Sequence, residues 1–346
     1  MRRRKFRIRA LSVFFVLVAL GVIVALAVPV ISAKKLISSI NINFKGKNSA
    51  FSGLTFKTKD DKGREIALSS DRVLESKKDN FIFENMTLTF SMSNGENGAV
   101  SADTTKALRA DQTLCEFIGN VRLKTDAGLL IETEKSLVDF TGKIASGDAG
   151  IMISRKDIKA SSQKYIFDIN KNILTLIGAV KGFLRTDEVT SDKMVIHFAE
   201  EYGKSAKSME AIGNAVYVAV NYRLQARKNI LHVGNNVEAH EQVVLLYKRN
   251  DRRYDVRSDH MYAFLDERGT IDDIEAVGSL VIKTKDATIR ANKGVFKGDI
   301  VTVRDNVVVS SSQGDVLGNA AVLDVRSGDI SINNSSGIID DKKRVP

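Results

Sequence analysis

Residues 117–125 read FIGNVRLKT, and the pattern returns as LIGAVKG at 176–182, AIGNAVYV at 211–218 and AVGSLVIKT at 276–284. Alternate residues of a strand share a face. Aligned on Gly119, Gly178, Gly213 and Gly278, one face carries Cys115, Phe117, Val121 and Leu123, then Leu174, Leu176, Val180 and Gly182. It continues with Met209, Ala211, Ala215 and Tyr217, then Ile274, Ala276, Leu280 and Ile282, with no charge among them. The other face is polar or mixed, with Glu116, Thr175, Glu210 and Glu275 before the glycine and Asn120, Ala179, Asn214 and Ser279 after it. The reading is a half-buried β-strand used four times. A glycine inside a strand marks a bulge, a bend or the close approach of another chain. On the apolar face it is expected to leave a notch in the wall and let the sheet curve. Curved sandwich strands around a filled core are the alternative.

Between the copies the chain reads as short strands and turns. KTDAGLLIETE at 124–134 is expected to be a hairpin through Asp126-Ala127-Gly128, and FTGKIASGDAGIMI at 140–153 turns twice on glycine. The glycine spacings are irregular, so no strict solenoid period is present. The prolines are Pro29 and Pro346 alone, leaving 30–345 without a residue that would interrupt a ladder. The polar run Ala199–Ser205 marks a soft domain boundary near residue 200.

The formal net charge is +10, but six of the positives lie in the first nine residues, so the rest of the chain carries only +4. No basic strip with interleaved aromatics points to nucleic acid. Residues 10–33 are uncharged. As a helix they would reach about 36 Å, enough to cross a bilayer core. With basic residues before the run, the tail 1–9 is expected in the cytoplasm, 10–33 in the inner membrane as a single-pass anchor, and the rest outside. A cleaved signal peptide ending near Ala25-Leu26-Ala27 is the competing reading. The length of the apolar run favours the anchor.

No GxxxxGK[ST] phosphate loop and no GxSxG elbow occurs. HEQVV at 240–244 starts like a zinc-protease helix but ends in Val244 rather than histidine. His197, His232, His240 and His260 are scattered, and the single Cys115 supports neither an intramolecular disulfide nor a cysteine metal cluster. Adjacent Asp272 and Asp273 would face opposite ways on a strand. The expectation is no catalytic residue, no metal, no cofactor and no enzyme.

The anchor, FSGLTFKTKDDKGREIALSSDRV at 51–73, and the later TLIGAVKGFLRTDEVTSDKMVIHF, MEAIGNAVYV, IEAVGSLVIKT and DVLGNAAVLDVRSGDISI together resemble the periplasmic bridge family of lipopolysaccharide transport. The N-terminal half is similar to the anchored LptC type. The remainder is similar to the soluble LptA/OstA type, as if a second unit had been joined on. The resemblance implies an all-β fold of open β-jellyroll units stacked end to end, over 34–200 and 201–346, behind one transmembrane helix. It implies a trough that shields acyl chains of lipopolysaccharide, lipid A in particular. Partners would be the permeases of the inner-membrane Lpt ABC transporter and OstA-like jellyroll proteins in the periplasm or outer membrane, with no nucleic acid. The lining expected to touch lipid is Met86, Leu88, Phe90, Phe117, Val121, Leu123, Leu174, Leu176, Val180, Ile274, Leu280 and Ile282. The edge expected to dock a partner outward is Val316, Leu323, Val325, Ile330 and Ile332. Against this stand an anchored β-rich envelope scaffold with a closed core and no lipid cargo, and a polysaccharide enzyme on a β-scaffold.

Overall fold

The structure is a computed structural model that describes residues 50–339, apart from 60–64, 77–79, 92–96, 109–113, 127, 140–141, 156–157, 169–170, 172, 185–186, 199–205, 220–221, 234–235, 250–251 and 266–270. The anchor expected over 10–33 and the boundary expected near 200 lie outside the described residues. Among the described residues every regular element is a strand, and no helix is long and apolar enough to cross a membrane. The chain divides into two compact units. An N-terminal unit runs to Arg185 and takes in Lys193–Lys207, and a C-terminal unit takes in Thr186–Asp192 and Ser208–Pro346.

In the N-terminal unit the strands are β1 (Ala50–Lys59), β2 (Glu65–Ser76), β3 (Asn80–Ser91), β4 (Asn97–Ala107), β5 (Leu114–Thr125), β6 (Leu129–Asp139), β7 (Ile144–Gly147), β8 (Ile151–Arg155), β9 (Ile158–Ser162), β10 (Lys164–Asp168) and β11 (Ile173–Leu184). Next come β12 (Asp187–Phe198), β13 (Ala206–Ile212), β14 (Ala215–Val218), β15 (Tyr222–Ala226), β16 (Asn229–Val233), β17 (Asn236–Arg249) and β18 (Arg252–Leu265). The chain ends with β19 (Ile271–Lys283), β20 (Ala287–Lys297), β21 (Ile300–Ser311), β22 (Gly314–Asp324), β23 (Ile330–Asn333) and β24 (Ser336–Ile339).

The described pairings are antiparallel and join long strands that follow one another in the chain, as in β1–β2–β3–β4–β5–β6 and β17 through β22. Shorter strands are the two arms of one interrupted strand. β6 pairs with β7 along one half and β8 along the other, and β17 pairs with β16 and β15 in the same way. The architecture is therefore a meander of bent strands.

The bend explains the repeated glycine, and it differs from the notch expected on sequence grounds. Gly119 and Asn120 have φ of 74° and 45°, Gly178 and Ala179 have 79° and 45°, Gly213 and Asn214 have 75° and 47°, and Gly278 and Ser279 have 80° and 46°. Two successive left-handed residues turn the strand through a corner, and the ladder loses register there, as between Ile118 and Val121. Glycine adopts that conformation without the Cβ penalty. A Cβ on Gly119 would also stand 2.5 Å from Asp103 Oδ2, and one on Gly213 would stand 2.6 Å from Asp192 Oδ2. The glycine is thus favoured by the backbone and leaves room for a neighbouring side chain, a carboxylate at Gly119, Gly213 and Gly278 and the Gln163 amide at Gly178. Glu241-Gln242 and Asp305-Asn306 make the same left-handed pair without glycine.

The predicted alternation holds on both sides of each corner: all sixteen aligned positions are buried. Side chains with almost no exposure on both arms need cover. In units built of strands, that cover is the facing arm, so each unit is a folded-over sheet around an apolar interior. In the C-terminal unit Tyr254, at the start of β18, donates its hydroxyl to the Val325 carbonyl at 2.8 Å, far across the sheet from its own strand neighbours.

Candidate lipid-binding interior

The twelve residues expected to line a trough all face the interior of their own unit. Met86, Leu88, Phe90, Phe117, Val121, Leu123, Leu174, Leu176 and Val180 are buried in the N-terminal unit, and Ile274, Leu280 and Ile282 in the C-terminal one. Alternation brings each set together, because strands in register stack equivalent positions side by side. The lining comes nearer the surface at the outermost described strands. On β1, Leu54 and Phe56 are half-buried, whereas Ile66 and Leu68 on the adjoining β2 are buried. On β22 and β23, Val316, Ile330 and Ile332 are half-buried, whereas Val301, Val303, Val307 and Val309 on β21 are buried.

The edge expected to dock a partner differs in detail. β22 is flanked by β21 on one side and by β23 and β24 on the other, so it is not an edge strand. Leu323 and Val325 point into the core, and Val325 is tied by its amide to Asp299 O at 2.7 Å. Among the described residues, the outer strands at this end are β23 and β24, with Ile330 and Ile332 on β23. Gly328 marks a turn in the linear sequence, but which strands then lie outermost is not written there.

Sequence patterning missed a row of hydroxyls inside the N-terminal unit. Phe83, Thr105, Phe117 and Ser136 are successive register partners across β3, β4, β5 and β6. Tyr165, on β10, reaches over Gly147 and donates to Ser136 Oγ at 2.7 Å. Burial pushes the Tyr165 phenol up to about 12, so it stays a neutral donor. Thr105 is 3% exposed, and its Oγ1 has no hydrogen-bond partner. An unsatisfied buried hydroxyl costs roughly 1–3 kcal/mol. In the C-terminal unit His232 faces inward beside Met209, and burial lowers its imidazole to about 4. At neutral pH it is an uncharged lining group.

Outside the lining, ion pairs join neighbouring strands: Arg122 to Glu132 at 3.0 Å and Lys135 to Glu116 at 2.7 Å. A cleft of about 540 Å³ lies by the first strands, bounded by Lys57, Lys59, Glu65, Ile66, Phe90 and Asn97, so basic side chains and buried apolar ones share one opening. A second cleft, about 360 Å³, lies at the corner of β5 and β6. It carries Glu132 and Glu134, the former already engaged by Arg122. Among the described residues, no three or more His, Cys, Asp or Glu side chains gather in a way that would hold a metal.

Bent antiparallel strands folded over an apolar lining within each unit define the class: an all-β protein whose conspicuous feature is the interior of each unit, with no constellation of reactive groups built on it among the described residues. Residues 47–185 match the family described as "Lipopolysaccharide-assembly, LptC-related". No curated protein matches the chain. Among solved structures it is similar to LptH of Pseudomonas aeruginosa, described as the LptA homologous periplasmic component of the conserved lipopolysaccharide transport device. The identity is 17% over 29% of this chain and 75% of that one, with a TM-score of 0.25, a likeness too slight to bear on function.

Proposed function

We propose that this protein is an inner-membrane-anchored bridge component that carries lipopolysaccharide through the periplasm by shielding its acyl chains between the arms of its bent strands. One observation carries the reading: a single residue parity stays apolar and buried through the corners at Gly119 and Gly178, within the residues that match the LptC-related family, and again at Gly213 and Gly278. Each acyl CH₂ kept from water is worth about 0.8 kcal/mol, so an apolar lining in each unit can shelter a multi-chain lipid in an aqueous space without an energy source of its own. Cargo would enter by parting the arms where the lining is least covered, near Leu54 and Phe56. The transporter permeases would supply lipid at the N-terminal end. OstA-like jellyrolls would receive it at the C-terminal end by adding a strand beside β23 and β24.

A closed scaffold without cargo is the second reading. It is favoured by the complete burial of Leu174, Leu176 and Ile282. Mass spectrometry of lipid co-purifying with residues 34–346 separates the two. Lipid A-bearing species bound in the wild type and lost in Leu280→Glu, with circular dichroism unchanged, support transport. A chain that arrives without lipid supports the scaffold.

A further inference from the structure

We propose that His240 and His260 form a two-nitrogen clamp for a divalent transition-metal ion on the outward face of the C-terminal unit. This site is separate from the apolar lining. The two residues are direct register partners on β17 and β18, although twenty positions apart in the chain. Each is held from its other side, His240 by Asn229 on β16 and His260 by Val277 on β19. Each also adjoins a register shift at the corner, between His240 and Val243 on one strand and between Arg257 and His260 on the other. The backbone that carries the rings is therefore pinned in a four-strand ladder, and the ligand geometry comes with the fold.

The rings turn the same nitrogen toward each other. His240 Nδ1 and His260 Nδ1 lie 3.1 Å apart, with ring centroids 5.3 Å apart at 65°. The far nitrogen of His240, Nε2, stands 3.5 Å from the Glu238 carboxylate, and the Tyr262 ring packs edge-on against the same imidazole. A carboxylate facing one ring nitrogen favours the proton there and leaves the other nitrogen with its lone pair. Metal-ligating histidines are commonly oriented in this way. Without metal, one proton between the two Nδ1 atoms makes the close contact a hydrogen bond. A Zn²⁺–N bond is about 2.0–2.1 Å. Two nitrogens at the observed separation would then bind one ion at an N–metal–N angle of roughly 95–100°, the rest of the shell being water. Binding requires the His260 proton to move from Nδ1 to Nε2 by exchange with solvent, so both imidazoles stay neutral and both Nδ1 lone pairs face the ion. Imidazole pairs suit zinc, copper and nickel rather than magnesium or calcium.

The test is calorimetric titration of the untagged full-length chain with Zn²⁺. The expected result is one saturable site. Affinity should fall at least tenfold in His240→Ala and in His260→Ala, and about tenfold in Glu238→Gln, which removes only the orienting charge. His197→Ala should leave binding unchanged. Absence of Zn²⁺ binding in the wild type, or wild-type affinity in both histidine variants, overturns the clamp and leaves a simple hydrogen-bonded pair. Should an alanine variant fail to fold, thermal unfolding of the wild type decides. A midpoint raised by Zn²⁺ and not by Mg²⁺ supports the site, and no rise with Zn²⁺ overturns it.

Discussion

Asn120 Nδ2 donates to the Asp103 carboxylate at 2.8 Å, joining the left-handed corner of β5 to the outer side of β4. Asn85 makes the same bond to Asp71 and Asn214 to Asp192, each at 2.9 Å. The bond fixes where the strand turns, and with it the registry of the lining on both arms. A double-mutant cycle with Asn120→Ala and Asp103→Ala should return a coupling of about 1 kcal/mol, the usual size for a solvent-accessible side-chain hydrogen bond. Additive effects in denaturant unfolding would show that the corner holds without it.

Gly119→Ala should cost more than Gly128→Ala. Both glycines have positive φ, 74° and 80°, but a Cβ at 128 meets nothing within 4 Å, whereas one at 119 meets Asp103. Equilibrium unfolding should show a loss of about 1 kcal/mol at 128 from backbone strain alone, and a loss beyond roughly 2 kcal/mol at 119. Equal losses would remove the steric part of the corner explanation.

Thr105→Val should stabilise the N-terminal unit. The substitution keeps the branched shape and deletes a buried hydroxyl that has no partner, which returns about 1 kcal/mol. A shift of the denaturation midpoint to lower denaturant would mean that the hydroxyl is satisfied in the folded protein.

Acid should weaken the C-terminal unit through His232. Its imidazole titrates near 6.5 when exposed and at about 4 in the fold. Between those values the unfolded chain binds the extra proton. The contribution is therefore fully present above pH 6.5 and is lost as pH falls toward 4, about 3 kcal/mol over the window. His232→Leu should flatten the stability profile there. An unchanged acid limb would place the titration elsewhere.

The strands and the buried parity were legible because both are local. A period of two with β-branched flanks is written in residues such as Ile118, Val121 and Leu123. The corners were half legible. Glycine at 119, 178, 213 and 278 announced an unusual backbone, but a notch and a left-handed turn look alike in one dimension. Glu241-Gln242 and Asp305-Asn306 turn with no glycine to announce them. The Asp103–Asn120 bond, the Thr105–Phe117–Ser136 row and the His240–His260 contact join residues 12–20 positions apart, and their proximity depends on hairpin lengths that composition does not set. That β23 and β24 cover β22, and so move the outer edge away from Leu323 and Val325, was hidden for the same reason.

The most direct test of the lining as a lipid path is site-specific photocrosslinking in cells of the full-length chain. The probe would replace Phe117 or Leu280 inside and Arg122 or Glu275 outside. Lipopolysaccharide adducts are predicted from both interior positions and from neither outward one. Interior probes that capture no lipopolysaccharide in a folded, membrane-associated chain would contradict a lipid path through the lining.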